Sequence, residues 1–267
     1  EIDYTEYPAV TDSKKALDAE APKLHCDAPG NICFEWERGD KSAVDQAIEK
    51  ADKVIKIELT NNRLVGAAIE TRGVVGSIDP ITNTIVLHST TQAPHHIRLC
   101  VAQQLGISEN ALRVISPDVG GGFGNKGKHY PEETIVAWAA RKLDQTVKWI
   151  CRREESFVSD TQGRDHQTRA ELGIDGEGNF LGLRVHTIAN IGAYVSTFGA
   201  NIPSAIYSAL LSGVYTTPAI HVEVIGAFTN TVPTDAYRGA GRPEACYVLE
   251  RLADQAAFET GLDRVEI

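Results

Sequence analysis

Two stretches carry the residue types that chemistry would need. The first is Ser116-Pro-Asp-Val-Gly-Gly-Gly-Phe-Gly-Asn-Lys-Gly-Lys128, in which Gly120, Gly121, Gly122 and Gly124 are interrupted only by Phe123. Glycine serves where the main chain needs positive φ or must let another group come close. Serial amides in such a loop form a concave anion site. The second stretch is Asp235-Ala-Tyr-Arg-Gly-Ala-Gly-Arg-Pro-Glu244. Arg238 and Arg242 bring fixed charge, and Pro243 opens a helix whose first N–H groups point outward, so this loop suits an anion too. The competing reading pairs both arginines with Asp235 and Glu244.

The first loop nearly fits two nucleotide motifs. Gly122 to Gly127 satisfies G-x-G-x-x-G, and Gly122 to Lys128 satisfies G-x-x-x-x-G-K. His129 stands where the second motif needs a Mg²⁺-binding Ser or Thr. The first motif needs a helix beginning within the glycines, whereas the helical pattern here opens at Pro131, and Asp144 falls before the next strand rather than at its end. A nucleotide-binding domain using Gly120–Gly124 stands as the alternative reading. No Ser/His/Asp or Cys/His arrangement follows from spacing. Asp118, Glu132 and Glu133 could do acid–base work, but the two glutamates sit in a helix's first turn, where carboxylates are favoured electrostatically. Neighbouring His95 and His96 point in different directions on a helix, which argues against a shared metal. No catalytic residue and no metal ligand is assigned.

The elements that position these loops read as an α+β domain, with mixed and antiparallel sheets and packed helices. Residues 1–40 read as an irregular linker, with a short strand at Glu1–Tyr7 and turn chemistry at Pro22, Pro29-Gly30 and Gly39-Asp40. A helix capped by Ser42 follows, then a strand alternating at Ile55, Ile57 and Leu59. Gly73–Asp79 and Thr84–Thr90 read as a hairpin, ending near Gln92 at a strand-to-helix junction. Pro94 opens a helix that stops at Gly106. Leu112–Ile115 is a strand leading into the glycine loop. The helix after Pro131 carries Ile135, Trp138, Ala139 and Leu143, and Val147–Ile150 is a strand. Arg152–Glu155 reads as a solvated or salt-bridged turn. Thr168–Ile174 and Leu181–Val185 form the clearest hairpin, around Asp175-Gly-Glu-Gly-Asn179. The apolar, low-charge stretch 191–215 is expected to lie against other protein. Val222–Thr229 is a strand, and the last helix buries Ala245, Val248, Leu249, Leu252 and Ala256 before Gly261.

The chain has 267 residues, formal charge −10 and five scattered cysteines with no C-x-x-C. Excess acid argues against a nucleic-acid partner. No apolar run approaches the roughly 18 residues of a membrane span. The cysteines predict reduced, mostly buried thiols and a cytoplasmic location. Starting at Glu1 without any methionine, the sequence reads as an excised internal piece.

The wording of the loops goes further. Asp118-Val-Gly-Gly-Gly-Phe-Gly-Asn-Lys126 and Asp235–Glu244, with Thr90-Thr-Gln92, Asn190-Ile-Gly-Ala-Tyr194 and Thr229-Asn-Thr-Val-Pro233, resemble the molybdenum-binding large subunit of the xanthine oxidase family. The likeness is strongest to bacterial members of the aerobic carbon monoxide dehydrogenase and aldehyde oxidase type, and it covers essentially the whole chain. It implies a molybdenum hydroxylase that oxidises a small molecule with water-derived oxygen. The cofactor would be a molybdopterin, in the cytosine dinucleotide form, cradled but not ligated by protein. Gln92, Gly121, Gly122, Phe123, Gly124, Arg238 and Gly239 would be its binding residues. Residues 41–267 would be the first molybdopterin-binding domain, with 1–40 the tail of a preceding domain. The catalytic glutamate would lie in an absent second domain, leaving this piece inactive and without cofactor. Iron–sulfur and FAD subunits would be partners. Gly239 replaces the cysteine of carbon monoxide oxidisers, and Gly127 replaces the glutamate of purine hydroxylases. Ile206 stands near the place of the purine-orienting arginine. An aldehyde or N-heterocycle is the substrate class left.

Overall fold

The computed structural model describes residues 2–267. The chain folds as two compact units. One comprises residues 1–64, 163–235 and 239–267, and the other residues 65–162 and 236–238.

The first unit is built on a five-stranded sheet. Its strands run in the order Ile32–Gly39, Ala219–Phe228, Phe180–Gly192, His166–Ile174, Lys53–Asn61. Ala219–Phe228 and Phe180–Gly192 are parallel and every other pair is antiparallel. The expected hairpin is there, with Val185 opposite Ala170 and Leu183 opposite Leu172. On one face these residues pack against the helix Arg242–Thr260, which buries Ala245, Val248, Leu249, Leu252 and Ala256 as its spacing predicted. The helix Lys41–Lys50 crosses the opposite face. Gly182 permits that approach, since a Cβ there would stand 2.7 Å from the Ala47 methyl.

Several expectations for this unit are corrected. Ile32–Gly39, read as linker, is the edge strand beside Ala219–Phe228. Its run Glu35-Trp-Glu-Arg38 has the polar outer positions of an edge, and these hid it from an apolar search. Asp40, not Ser42, caps the first long helix, by accepting the Ala43 N–H at 2.9 Å. Glu1 lies outside the described residues, and residues 2–10 have no regular secondary structure rather than a strand. The stretch 191–215 is divided: Tyr207 and Leu211 are fully buried in this unit's core, while Tyr194, Val195, Phe198 and Val214 are exposed.

The second unit holds a four-stranded sheet in the order Leu112–Ile115, Ile85–Ser89, Gly73–Ile78, Val147–Ile150. The Gly73–Ile78 hairpin with Ile85–Ser89 matches expectation. So does the helix Pro94–Leu105, closed by left-handed Gly106. The helix Pro131–Leu143 forms with the other face inward. Val136, Ala137 and Ala140 are buried, while Ile135, Trp138 and Leu143 are 58%, 50% and 59% exposed. The cause is close approach to the sheet. A Cβ on Gly76 would lie 3.1 Å from the Val136 carbonyl oxygen, so only small residues fit between. Arg152–Glu155 is salt-bridged, with Arg152 3.5 Å from Glu154 and 4.0 Å from Glu155, but it opens the short helix Arg153–Ser159 rather than forming a turn. All five cysteines are free, but only Cys151 is buried; Cys26 and Cys246 are exposed, against the expected burial.

Candidate cofactor cradle

The glycine loop is held at both limbs. At its start, Glu70 accepts the Gly120 N–H at 2.8 Å and the buried Lys126 ammonium at 2.8 Å. Burial pushes the Glu70 carboxyl up, but Lys126 and the Gly120 N–H outweigh it and hold the group below its ordinary value. At its end, the Lys126 carbonyl accepts the Gln92 N–H at 2.8 Å and the Thr91 hydroxyl at 3.1 Å. The Tyr130 hydroxyl donates to the Asn125 carbonyl at 2.8 Å. Burial pushes that phenol up to about 12, so it stays a donor at any working pH.

Tyr130 is fixed by a buried polar group. The Arg72 guanidinium lies 3.7 Å above its ring and bonds Asp160 at 2.6 Å and Glu132 at 2.9 Å. Burial alone would lower the Arg72 value, but its two carboxylate partners raise it. Glu133 closes the helix start by accepting the Tyr130 N–H at 2.7 Å and the Ser89 hydroxyl at 3.0 Å. Both glutamates thus serve the helix's first turn, one as cap and one as arginine partner.

Burial raises the Glu133 carboxyl to about 7, against the helping bonds from Tyr130 and Ser89. Because the folded value lies above the ordinary one, this group adds stability at low pH that is lost as pH rises through about 7. Glu133→Gln should therefore flatten the pH dependence. Between pH 5 and 8 the urea-derived stability of the native protein should fall by on the order of 2 kcal/mol more than that of the variant. Parallel curves for the two proteins would show that Glu133 is ionised throughout.

Between the two limbs the backbone is exposed to close approach. Gly121 and Gly124 have φ of +99° and +104°, and Phe123 between them has +53°. A Cβ on Gly122 would stand 2.4 Å from the Gln92 carboxamide carbon, and one on Gly124 would stand 2.1 Å from the Ala236 carbonyl oxygen. The Gly124 N–H donates to Gln92 Oε1 at 2.9 Å. That bond fixes the amide orientation, because only oxygen can accept there, and the Gln92 NH₂ is turned away with both donors unused. Among the described residues, the Gly122 and Phe123 N–H groups also have no protein acceptor. Residues 236–238 join this unit, and the Arg238 N–H donates to the Phe123 carbonyl at 2.9 Å. Residues 236–238 therefore lie directly against the glycine loop.

Gly239 follows Arg238 but belongs to the first unit, at φ +100° with its Cβ direction filled by the Pro243 ring. Glu244 pairs with Arg164 at 3.1 Å, and Asp235 accepts from Ser196 and from the Phe198 N–H. Arg242 bonds the Gly239 carbonyl. Lys128, the lysine of the nucleotide-like motif, lies 4.5 Å above the Tyr130 ring.

Sequence reasoning missed Glu70, Arg72, Tyr130 and Asp160. Only the Tyr130-Pro-Glu-Glu133 run carried a local signal, as a helix start with an acid at its third position. The chemistry available here is a set of uncommitted N–H and NH₂ donors around a backbone that admits no side chain. That set fits a bulky ligand rich in oxygen and sulfur acceptors, such as a molybdopterin with its anionic groups.

Comparison with known proteins agrees. The family model described as the molybdopterin cofactor-binding domain matches residues 24–267. The carbon monoxide dehydrogenase large chain of Hydrogenophaga pseudoflava is 35% identical, over 100% of this chain and 35% of that protein. Subunit gamma of the 6-hydroxypseudooxynicotine dehydrogenase complex of Paenarthrobacter nicotinovorans is 32% identical, over 99% of this chain and 33% of its own length. The crystal structure of quinoline 2-oxidoreductase from Pseudomonas putida 86 superposes with a TM-score of 0.91 at 33% identity, over 100% of this chain and 34% of that one. The chain spans about a third of the length of these relatives.

Proposed function

Since the chain belongs to the molybdopterin cofactor-binding domain family, we propose that Gln92, Gly121, Gly122, Phe123, Gly124, Arg238 and Gly239 hold a molybdopterin cofactor, and that the protein is part of a molybdenum-dependent hydroxylase. The observation that carries this reading is the 2.9 Å bond from the Arg238 N–H to the Phe123 carbonyl, which joins the two anion-suited loops. Gln92 offers its NH₂ to a cofactor oxygen. Gly122 and Phe123 offer N–H groups, and Gly121 and Gly124 keep the approach open. When bound, the cofactor supplies two-electron oxidation with oxygen derived from water. In this proposal it is the cytosine dinucleotide form, and the chain is the first of two cofactor-binding domains, with the strand Ile32–Gly39 included. A second domain supplies the catalytic glutamate, so the 267 residues alone are inactive. Iron–sulfur and FAD subunits carry electrons away in the cytoplasm.

The substrate is an aldehyde or an N-heterocycle. Relatives named for nicotine-derived and quinoline substrates support this class. Gly239 offers no thiol where carbon monoxide chemistry would need one. No helix among the described residues is long and apolar enough to cross a membrane.

The test is to purify the full-length protein, measure molybdenum and identify the nucleotide released by acid hydrolysis. Near-stoichiometric metal with CMP is expected. Absence of molybdenum, together with saturable micromolar binding of ATP or NAD, would overturn the reading in favour of a nucleotide site.

A further inference from the structure

The sheet face that carries the helix Lys41–Lys50 in the first unit holds a cluster separate from the cradle residues. His221 and Glu223 are two residues apart on the strand Ala219–Phe228, so both side chains leave the same face. Glu37 lies directly opposite Glu223 on the antiparallel edge strand Ile32–Gly39, which places it on that face as well. One ligand atom from each of the three residues lies within 4.8 Å of the others.

The imidazole is rigid and the carboxylates are adjustable. The His221 side chain is 1% exposed, and its Nε2 stands 2.7 Å from Glu37 Oε1; the Glu37 and Glu223 side chains are 62% and 41% exposed. Charge on this face is unbalanced. Among the described residues, Glu223 has one ion-pair partner, the exposed Lys41 at 3.6 Å, and His186 stands in register beside it on the next strand. Arg184, in register with His221 on the next strand, is already committed to Glu171 and Asp45.

The geometry points to a chelating site for a divalent cation of the zinc class, with His221 Nε2 and one oxygen each from Glu37 and Glu223 as ligands. One nitrogen with two carboxylates suits Zn²⁺ better than Mg²⁺ or Ca²⁺, which take oxygen shells. Bonds near 2.1 Å to a tetrahedral centre need donor atoms about 3.4 Å apart. The two glutamates reach that spacing by rotamer changes while the imidazole stays in place. The cation replaces the hydrogen-bonded contact between His221 and Glu37, and water completes the shell on the open side. A ligand pair two apart on one strand, with a third directly across, sits on hydrogen-bonded backbone rather than on a loop, so little ordering is needed on binding.

The test uses untagged full-length protein. Titration with ZnCl₂ should give one equivalent bound with a dissociation constant in the micromolar range, and CoCl₂ should give a visible d–d band that Zn²⁺ displaces. Glu37→Gln, at an exposed position, should weaken binding at least tenfold. Glu223→Gln should do the same. Lys41→Ala should tighten binding a few-fold by removing the competing charge. Glu58→Gln, elsewhere on the sheet, should change nothing. Absence of a stoichiometric Zn²⁺ site, or unchanged binding in both Glu37→Gln and Glu223→Gln, would reduce the cluster to a hydrogen-bonded His–Glu pair and overturn the assignment.

Discussion

Replacing Gly124 with alanine in the full-length protein is expected to lower its molybdenum content at least tenfold, measured by elemental analysis, while the far-ultraviolet circular dichroism stays unchanged. The added Cβ would stand 2.1 Å from the Ala236 carbonyl oxygen, and that neighbour is main chain, not the movable end of a side chain. At φ +104° an L residue is also strained, by about 1–2 kcal/mol or more. A tenfold loss of occupancy needs only about 1.4 kcal/mol, so the two effects together exceed the requirement. Gly106→Ala separates strain from collision. Gly106 has φ +63° with nothing within 4 Å of its Cβ direction. That variant should lose about 1 kcal/mol of stability and keep its metal. If Gly124→Ala also kept its metal, residues 236–238 would not be part of the cradle.

The second large effect is expected at Arg72. Arg72→Met should destabilise the protein by about 3–5 kcal/mol, because it leaves the buried Asp160 carboxylate without a counter-charge. Asp160 has a 7% exposed side chain and can recover little hydration, whereas Glu132 is 26% exposed and can. The methionine keeps apolar contact with Tyr130 and Trp149, so the loss is electrostatic rather than a cavity. The double variant Arg72→Met, Asp160→Leu should therefore be more stable than Arg72→Met alone. Urea unfolding followed by tryptophan fluorescence reads both. A loss below about 1 kcal/mol for the single change would mean that the Arg72 group contributes no more than a surface ion pair.

How much of this was legible beforehand follows from what each residue's neighbours are. The hairpin around Asp175-Gly-Glu-Gly-Asn179 was readable because alternation, turn residues and pairing partners all lie within one short segment. The last helix was readable because its stripe faces a single apolar sheet. The strand Ile32–Gly39 was not, since its partner among the described residues is the distant Ala219–Phe228 and its outer positions are polar. The helix Pro131–Leu143 was found with its faces exchanged. Bulk suggested Ile135 and Trp138 as the inner side, but contact with Gly76 requires Val136, Ala137 and Ala140. At the cradle, glycine spacing and the arginine loop marked the right segments. Their supports, Glu70 under Lys126 and Arg72 over Tyr130, join residues about 56 and 58 positions apart and left no local pattern.

The bond between Phe123 and Arg238 has a consequence for biosynthesis. A ribosome delivers the glycine segment long before it delivers the tyrosine–arginine segment, and domains assemble as their residues emerge. A ligand that needs both segments therefore cannot be held until Arg238 has emerged, however early the glycine segment is made.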